Sequence, residues 1–382
     1  MSAALEQSAP GEQPASGEGD EGSSTGGGLA GSGTERQGVS EGAGRGVYIV
    51  SPVYDWVWFL LPPLVSLVFF GLTAGTAWTD SRFWLGGKRL TPAVLSVSAL
   101  TSAHLLAVVL RSHGNPKVFG QHRFRFIAVP ILVFGAMMMS DWAACVATVV
   151  VIFWDTYHSA LQTFGLARIY DRNAGNPPAL GRWLDLGLNL ILYLGPIVGG
   201  ATMIFHFKGF EVFEAVESEW LSGVPARMQA HHGAIARGVL GVGAAYVAVY
   251  VAGYFRLARR GYKLCVPKVF LLSTTGLVSV WAWGWNPWGQ AFLIMNLFHA
   301  VQYLALVWWS EGRRVRTVLR VGESGGRKAA FGGVLLSVLL GYGVWAELVP
   351  NDDRLRWSIV QTVALMHFYY DGFIWSVRRR EI

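Results

Sequence analysis

Apolar runs of about 20 residues recur along this chain, and each is long enough to cross a ~30 Å hydrocarbon core as a helix. A water-soluble enzyme of this size interrupts such runs with charges every few residues. Here 52% of residues are hydrophobic and only 14% are charged, with 17 tryptophans. The pattern predicts an all-α, polytopic integral-membrane bundle of about ten transmembrane helices. The expected spans are 52–76, 91–111, 124–140, 143–168, 183–207, 238–257, 267–285, 290–309, 329–347 and 357–377. The third is short, is expected to kink at Pro130 and to form a tight hairpin with the fourth. "LGPIVGG" (Leu194 to Gly200) reads as a helix break without a counterpart elsewhere.

Residues 1–45 are rich in Gly, Ser and Glu, with almost no large apolar side chain. Such a segment cannot build a core and is expected to be a disordered cytoplasmic tail ahead of a transmembrane domain over 46–382. It has no basic stretch followed by an apolar one, so it does not read as a signal peptide. Cys145 and Cys265 are far apart and make neither a zinc spacing nor a disulfide framework.

The net charge is +7, but the basic residues gather beside alternate spans, which makes them topology signals and not a nucleic-acid surface. Arg111, Arg123, Arg125, Arg168, Arg172, Lys268, Arg313, Arg314, Arg316 and Arg378 to Arg380 follow or flank even-numbered spans. Glu211, Glu214, Glu217, Asp352 and Asp353 fall on the other side. This places both termini in the cytoplasm of a cell whose inner membrane holds the protein.

Four histidines lie inside the spans, all on even-numbered helices: His104, His158, His299 and His367. They stand seven residues before Arg111, ten before Arg168, eleven before Ser310 and eleven before Arg378. At ~1.5 Å per residue these depths agree within about one turn, so the rings are expected to share one layer. Each histidine has polar neighbours at helical spacing. Asp155 and Gln162 flank His158, Asn296, Gln302 and Tyr303 accompany His299, and Asp371 follows His367 at i+4. A polar stripe of this kind faces the bundle interior, because a charge facing lipid costs several kcal/mol.

Imidazoles converging with a carboxylate suit a metal, and the carboxylate favours iron, one or two ions, with copper as an alternative. Asp371 is the expected fifth ligand, and Asp155 is expected to orient a ligating ring. Gln162 and Gln302 are poor ligands and are expected to donate hydrogen bonds to a ligand or substrate. His113 and His122 fall in a basic loop. His206, His231 and His232 read as surface residues, and Trp308, Trp309, Trp357 and Trp375 as interface anchors.

The signatures GxSxG, P-loop, HExxH and CxxCH are absent. The pattern resembles histidine-rich polytopic membrane oxygenases, and in style the bacterial β-carotene cleaving dioxygenase family. "HFYYD" (His367 to Asp371) is similar to the His-plus-Asp elements of that family. Its N-terminal "PHGxxD"-like element has no counterpart here. The resemblance implies non-haem iron and an apolar substrate. The expected function is a membrane-embedded, iron-dependent oxidoreductase acting on a lipid or isoprenoid among the membrane lipids, served by an electron-donor protein. A haem b electron-transfer protein and a proton-coupled transporter with His/Asp relays are the alternatives.

Overall fold

A computed structural model describes residues 46–322, 324–350 and 352–375. The tail expected over 1–45 and the basic run Arg378 to Arg380 lie outside the described residues. In chain order the elements are α1 (Pro52–Asp55), a π-helical turn (Trp56–Leu60), α2 (Pro62–Thr73), α3 (Ala77–Asp80), β1 (Phe83–Leu85), β2 (Lys88–Leu90), α4 (Pro92–Ser112) and α5 (Pro116–Met139). There follow α6 (Asp141–Asn173), α7 (Arg182–Gly199), α8 (Met203–Phe207), a 3-10 helix (Lys208–Val216), α9 (Glu219–Ser222) and α10 (Val224–Ala258). The last four are α11 (Val266–Trp285), α12 (Trp288–Val318), α13 (Gly325–Leu348) and α14 (Arg354–Ile374). Among the described residues the only sheet is the β1–β2 hairpin.

The helical class matches the sequence expectation, and the count of about ten spans is matched only in part. Among the described residues seven helices, namely α4, α5, α6, α10 together with α9, α11, α12 and α13, are long and apolar enough to cross a membrane. Two bent pairs raise the number to nine at most. The tenth expected span is a helix, α14, but it is not among those apolar enough, because its inward face carries Gln361, His367 and Asp371.

Local chemistry sets the starts and breaks. Thr91 Oγ1 accepts from the Val94 amide, Asn115 Oδ1 from the Lys117 and Val118 amides, and Ser140 Oγ from the Ala143 amide. These side chains satisfy orphan donors at the starts of α4, α5 and α6, and proline opens α4 and α5. Ser140 alone separates α5 from α6, so the expected tight hairpin is present. The departure from helical geometry in α5 falls at His122 (φ −130°, ψ 19°) and not at Pro130.

The first span is bent by 50° between Leu60 and Pro62, where Pro62 and Pro63 offer no N–H to the carbonyls of the preceding turn. The second break, of 89°, separates α7 from the Met203–Val216 segment. It lies at the expected glycines, but it has a counterpart in the first span. A Cβ on Gly200 would sit 2.7 Å from both Gly284 Cα and the Trp283 carbonyl oxygen, so only glycine lets this turn reach the end of α11. Gly343 plays the same part between α13 and α4, where a Cβ would overlap the Ala99 carbonyl.

The core surrounds α12, whose apolar window is 72% buried, whereas that of the α9–α10 segment has no buried residue. Helix α4 packs on α12, α13 and α14, and α14 packs on α6. That arrangement gathers the four histidine-bearing helices.

A buried ionic clasp joins α6, α7, α10 and α11. Arg168 bonds Asp171 and, at 2.6 Å, Asp185. Lys268 Nζ lies 3.3 Å from Asp171 and 2.8 Å from Asp185. All four side chains are at most 5% exposed. Tyr254 donates to Asp185 at 2.7 Å, Asn176 donates to Asp171 at 2.8 Å, and the Tyr262 hydroxyl also donates to Asp171. Burial, and then the hydrogen bond to Asp171, push the Tyr262 phenol above its ordinary value, so it stays a donor. Arg168 and Lys268 therefore do more than mark topology: two cations meet two carboxylates in a site closed to water.

Candidate metal centre

The four imidazoles meet. Helix α4 supplies His104, α6 His158, α12 His299 and α14 His367, each at most 5% exposed. The centroids of the His104 ring and those of His299 and His367 are 4.9 Å apart. His158 stands 5.1 Å from His299 and 4.7 Å from His367. All these contacts are edge-on, and the Nε2 atoms of His158 and His367 are 3.0 Å apart.

Asp371 joins this group from one turn along α14. Its Oδ2 lies 3.7 Å from Nε2 of both His158 and His367. Its Oδ1 accepts from Tyr303 Oη and Trp375 Nε1, each at 2.9 Å. One carboxylate oxygen is thus tied and the other faces the rings. The Tyr303 ring also packs 4.6 Å from His367. Among the described residues two sets of donors are close enough to hold an ion: His104 with His158 and His299, and His158 with His367 and Asp371. Within each set the ligand atoms lie within 4.8 Å of one another, and His158 belongs to both.

The donor set fits a metal. Both ring nitrogens of His104, and Nε2 of His299, are buried with no hydrogen-bond partner among the described residues. An unpaired buried polar group is costly, and coordination would satisfy it. His367 Nδ1 lies 3.2 Å from the Leu105 carbonyl, which suits an Nδ1–H tautomer with Nε2 free to ligate.

Other polar residues of the sequence pattern go elsewhere. Asp155 is not part of the gathering. It lines a small cavity of ≈ 20 Å³ with Thr156, Ser159, Tyr193, Trp283, Met295 and Asn296. Gln162 donates to the His299 carbonyl at 3.3 Å and to Gln302 Oε1 at 3.2 Å. Gln302 donates to the Phe59 carbonyl at 2.7 Å, which Pro63 leaves without its helical donor. The two amides therefore join α6, α12 and the broken first span, and their N–H groups point at protein acceptors. Replacing Gln302 by leucine is expected to lower stability by about 1 kcal/mol, read by thermal unfolding in detergent. An unchanged transition would mean that the Phe59 carbonyl has another donor.

Several readings of single residues need correction. Trp375 is a partner of Asp371 as well as an aromatic near a helix end. Arg111 is buried: it bonds Glu311 at 2.9 Å, donates to the Ile374 carbonyl at 3.1 and 3.0 Å, and lies 4.1 Å over the Trp375 ring. Arg111 thus anchors the end of α14 that carries Asp371. Nothing in the spacing of these residues announces that link, which is set by tertiary packing. His206 is 2% exposed, wedged against Trp283 and Trp288, and is not a surface residue. His122 lies within α5 and packs 4.7 Å from Phe373, and His113 lies 3.2 Å from the Phe126 carbonyl, so neither is free in a solvated loop.

No protein-family model matches this sequence, and no curated protein or solved structure matches it either.

Proposed function

We propose that the chain is a membrane-embedded, non-haem iron-dependent oxidoreductase acting on a lipid or isoprenoid. The observation that carries the reading is His104, fully buried with both ring nitrogens unpartnered, in contact with two further imidazoles of a four-histidine cluster that Asp371 flanks. His104, His158, His299, His367 and Asp371 would hold one or two ions in the overlapping sets. Bound iron would supply a redox centre able to use dioxygen on an apolar substrate; hydroxylation, desaturation and oxidative cleavage all fall within that chemistry.

The protein's own part is positioning and exclusion of water. Tyr303 and Trp375 fix the Asp371 carboxylate, and the Leu105 carbonyl fixes the His367 ring. Gln162 and Gln302 hold α12 in register with α6. The apolar surroundings suit a substrate drawn from the bilayer, and an electron-donor protein would dock at the cytoplasmic face. The basic loops support cytoplasmic termini in an inner membrane. A haem is disfavoured, because edge-on rings at 4.7–5.1 Å leave no slot for a flat macrocycle between any two of them.

Metal analysis and an optical spectrum of the detergent-purified protein test this. The expected result is one or two irons per chain with no Soret band. A Soret band, or iron-free protein after expression with iron, overturns it. Trp375→Phe keeps the ring beneath Arg111 and removes the N–H on Asp371. It is expected to weaken iron binding about 10- to 100-fold in a chelator competition. Unaltered affinity would show that Asp371 needs no such support.

A further inference from the structure

A second feature lies along the face of α12 turned toward α13. A groove of ≈ 370 Å³ runs between α4, α12 and α13. Its walls include Leu100, Leu110, Leu304, Trp308, Leu335 and Leu339, and among the described residues Glu311 is the one charged residue that lines it. The volume falls in the ~300–1,000 Å³ range of small-molecule sites, and the lining suits a hydrocarbon chain.

The end near Glu311 is different. Glu311 is already taken: it accepts from Arg111 at 2.9 Å and from Arg314 at 2.5 Å, with the Asn115 amide nearby at 3.4 Å. Arg314 also donates to the carbonyl of Leu110, a wall residue. Its Nε and Nη1 are buried without a partner among the described residues, and so is Nε of Arg316. Arg316 lies 5.5 Å over the Trp308 ring and reaches over Gly312, which also lines the groove. Arg314 and Arg316 thus place two guanidinium groups beside a carboxylate that Arg111 already shares, and Nε and Nη1 of Arg314 and Nε of Arg316 have no acceptor among the described residues.

Neither arginine lines the slot itself, but Arg314 abuts its lining residues Glu311 and Leu110 and Arg316 its lining residue Trp308, and an apolar slot flanked by such donors matches an amphiphile with an anionic head. We infer that the groove holds one anionic phospholipid, with an acyl chain between α4, α12 and α13 and its phosphate on Arg314 and Arg316. Arginine suits phosphate because its planar fork donates two parallel hydrogen bonds. Basic pockets between membrane helices bind lipid headgroups on the same principle. The inference rests on the chain being embedded in a bilayer and is independent of the metal reading.

Native mass spectrometry of the full chain tests it, after incubation in detergent with equal amounts of phosphatidylglycerol and phosphatidylcholine. The wild type is expected to retain phosphatidylglycerol about ten-fold more than phosphatidylcholine. Arg314→Gln with Arg316→Gln is expected to abolish the preference, and Leu336→Trp, on the exposed edge of the groove, to reduce retention of both lipids. Metal content should be unchanged in all variants, because none of these residues touches the histidine cluster. Equal retention of the two lipids by the wild type overturns the inference, as does a preference that survives the double substitution. Displacement of the lipid by inorganic phosphate alone overturns it too, since the head would then bind without the chain. A stable dimer with the groove covered by a second copy does the same. Should the double variant lose its helicity, Leu336→Trp decides alone: full lipid retention there refutes the site.

Discussion

Replacing His158 by alanine is expected to leave the purified protein without iron. His158 is the ring common to both donor sets, so its loss breaks each of them. Its Nε2 lies 3.0 Å from that of His367 and 3.7 Å from Asp371 Oδ2, and its ring contacts His299. Removing an outer partner of a metal ligand costs ~10–100-fold in affinity, and removing a shared ligand should exceed the upper figure. Elemental analysis reads the result, with helicity by circular dichroism as the check on folding. His231→Ala, at an exposed position, is the control and should retain full metal. If His158→Ala also retains full metal, the cluster is not the binding site and the proposed chemistry has no centre.

The second large effect is expected at the ionic clasp. Asp185→Asn removes one of two carboxylates that face Arg168 and Lys268 in a site whose charged side chains are at most 5% exposed. A cation left unpaired in such a place typically costs 3–5 kcal/mol, more than the pair contributes relative to apolar residues of the same shape. The Asp185→Asn protein should therefore unfold at clearly lower temperature in detergent. Adding Lys268→Met, which removes the surplus cation, should recover part of the loss. If Asp185→Asn melts with the wild type, the four helix ends are held by something other than the clasp. If the double variant is worse than the single, the unpaired charge is not the cause.

The sequence makes the histidine layer visible because helical spacing converts position along the chain into depth. Four residues that stand at similar distances from the polar ends of their apolar runs must lie at similar heights, and here they also face inward. The helical class is visible for the same reason: long apolar runs have few alternatives in lipid. What is not legible is anything that depends on which helix lies beside which. Asp171 and Asp185 look like ordinary carboxylates near helix ends, and only the packing of α6, α7, α10 and α11 brings them to Arg168 and Lys268. Trp375 has the composition of an interfacial anchor, yet it stands four residues after Asp371, the same spacing that sets Asp371 beside His367, so this bond is open to a helical reading of the sequence. Asp155 is the converse case. It sits three residues from His158, yet the rotation of α6 directs it to a different cavity.

Helix α14 is made last of the described helices and is the one of the ten expected spans whose composition does not suit lipid. Its Asp371 alone would oppose entry by ~2.5–3.5 kcal/mol near a bilayer centre. In a bilayer it would therefore be taken up against protein already in place, with Arg111, the Leu105 carbonyl, His158 and Tyr303 as its docking face. During translation, a nascent chain halted after α13 already contains His104, His158 and His299 but lacks His367 and Asp371. Under the proposed metal reading, the donor set would be complete only once α14 has been made.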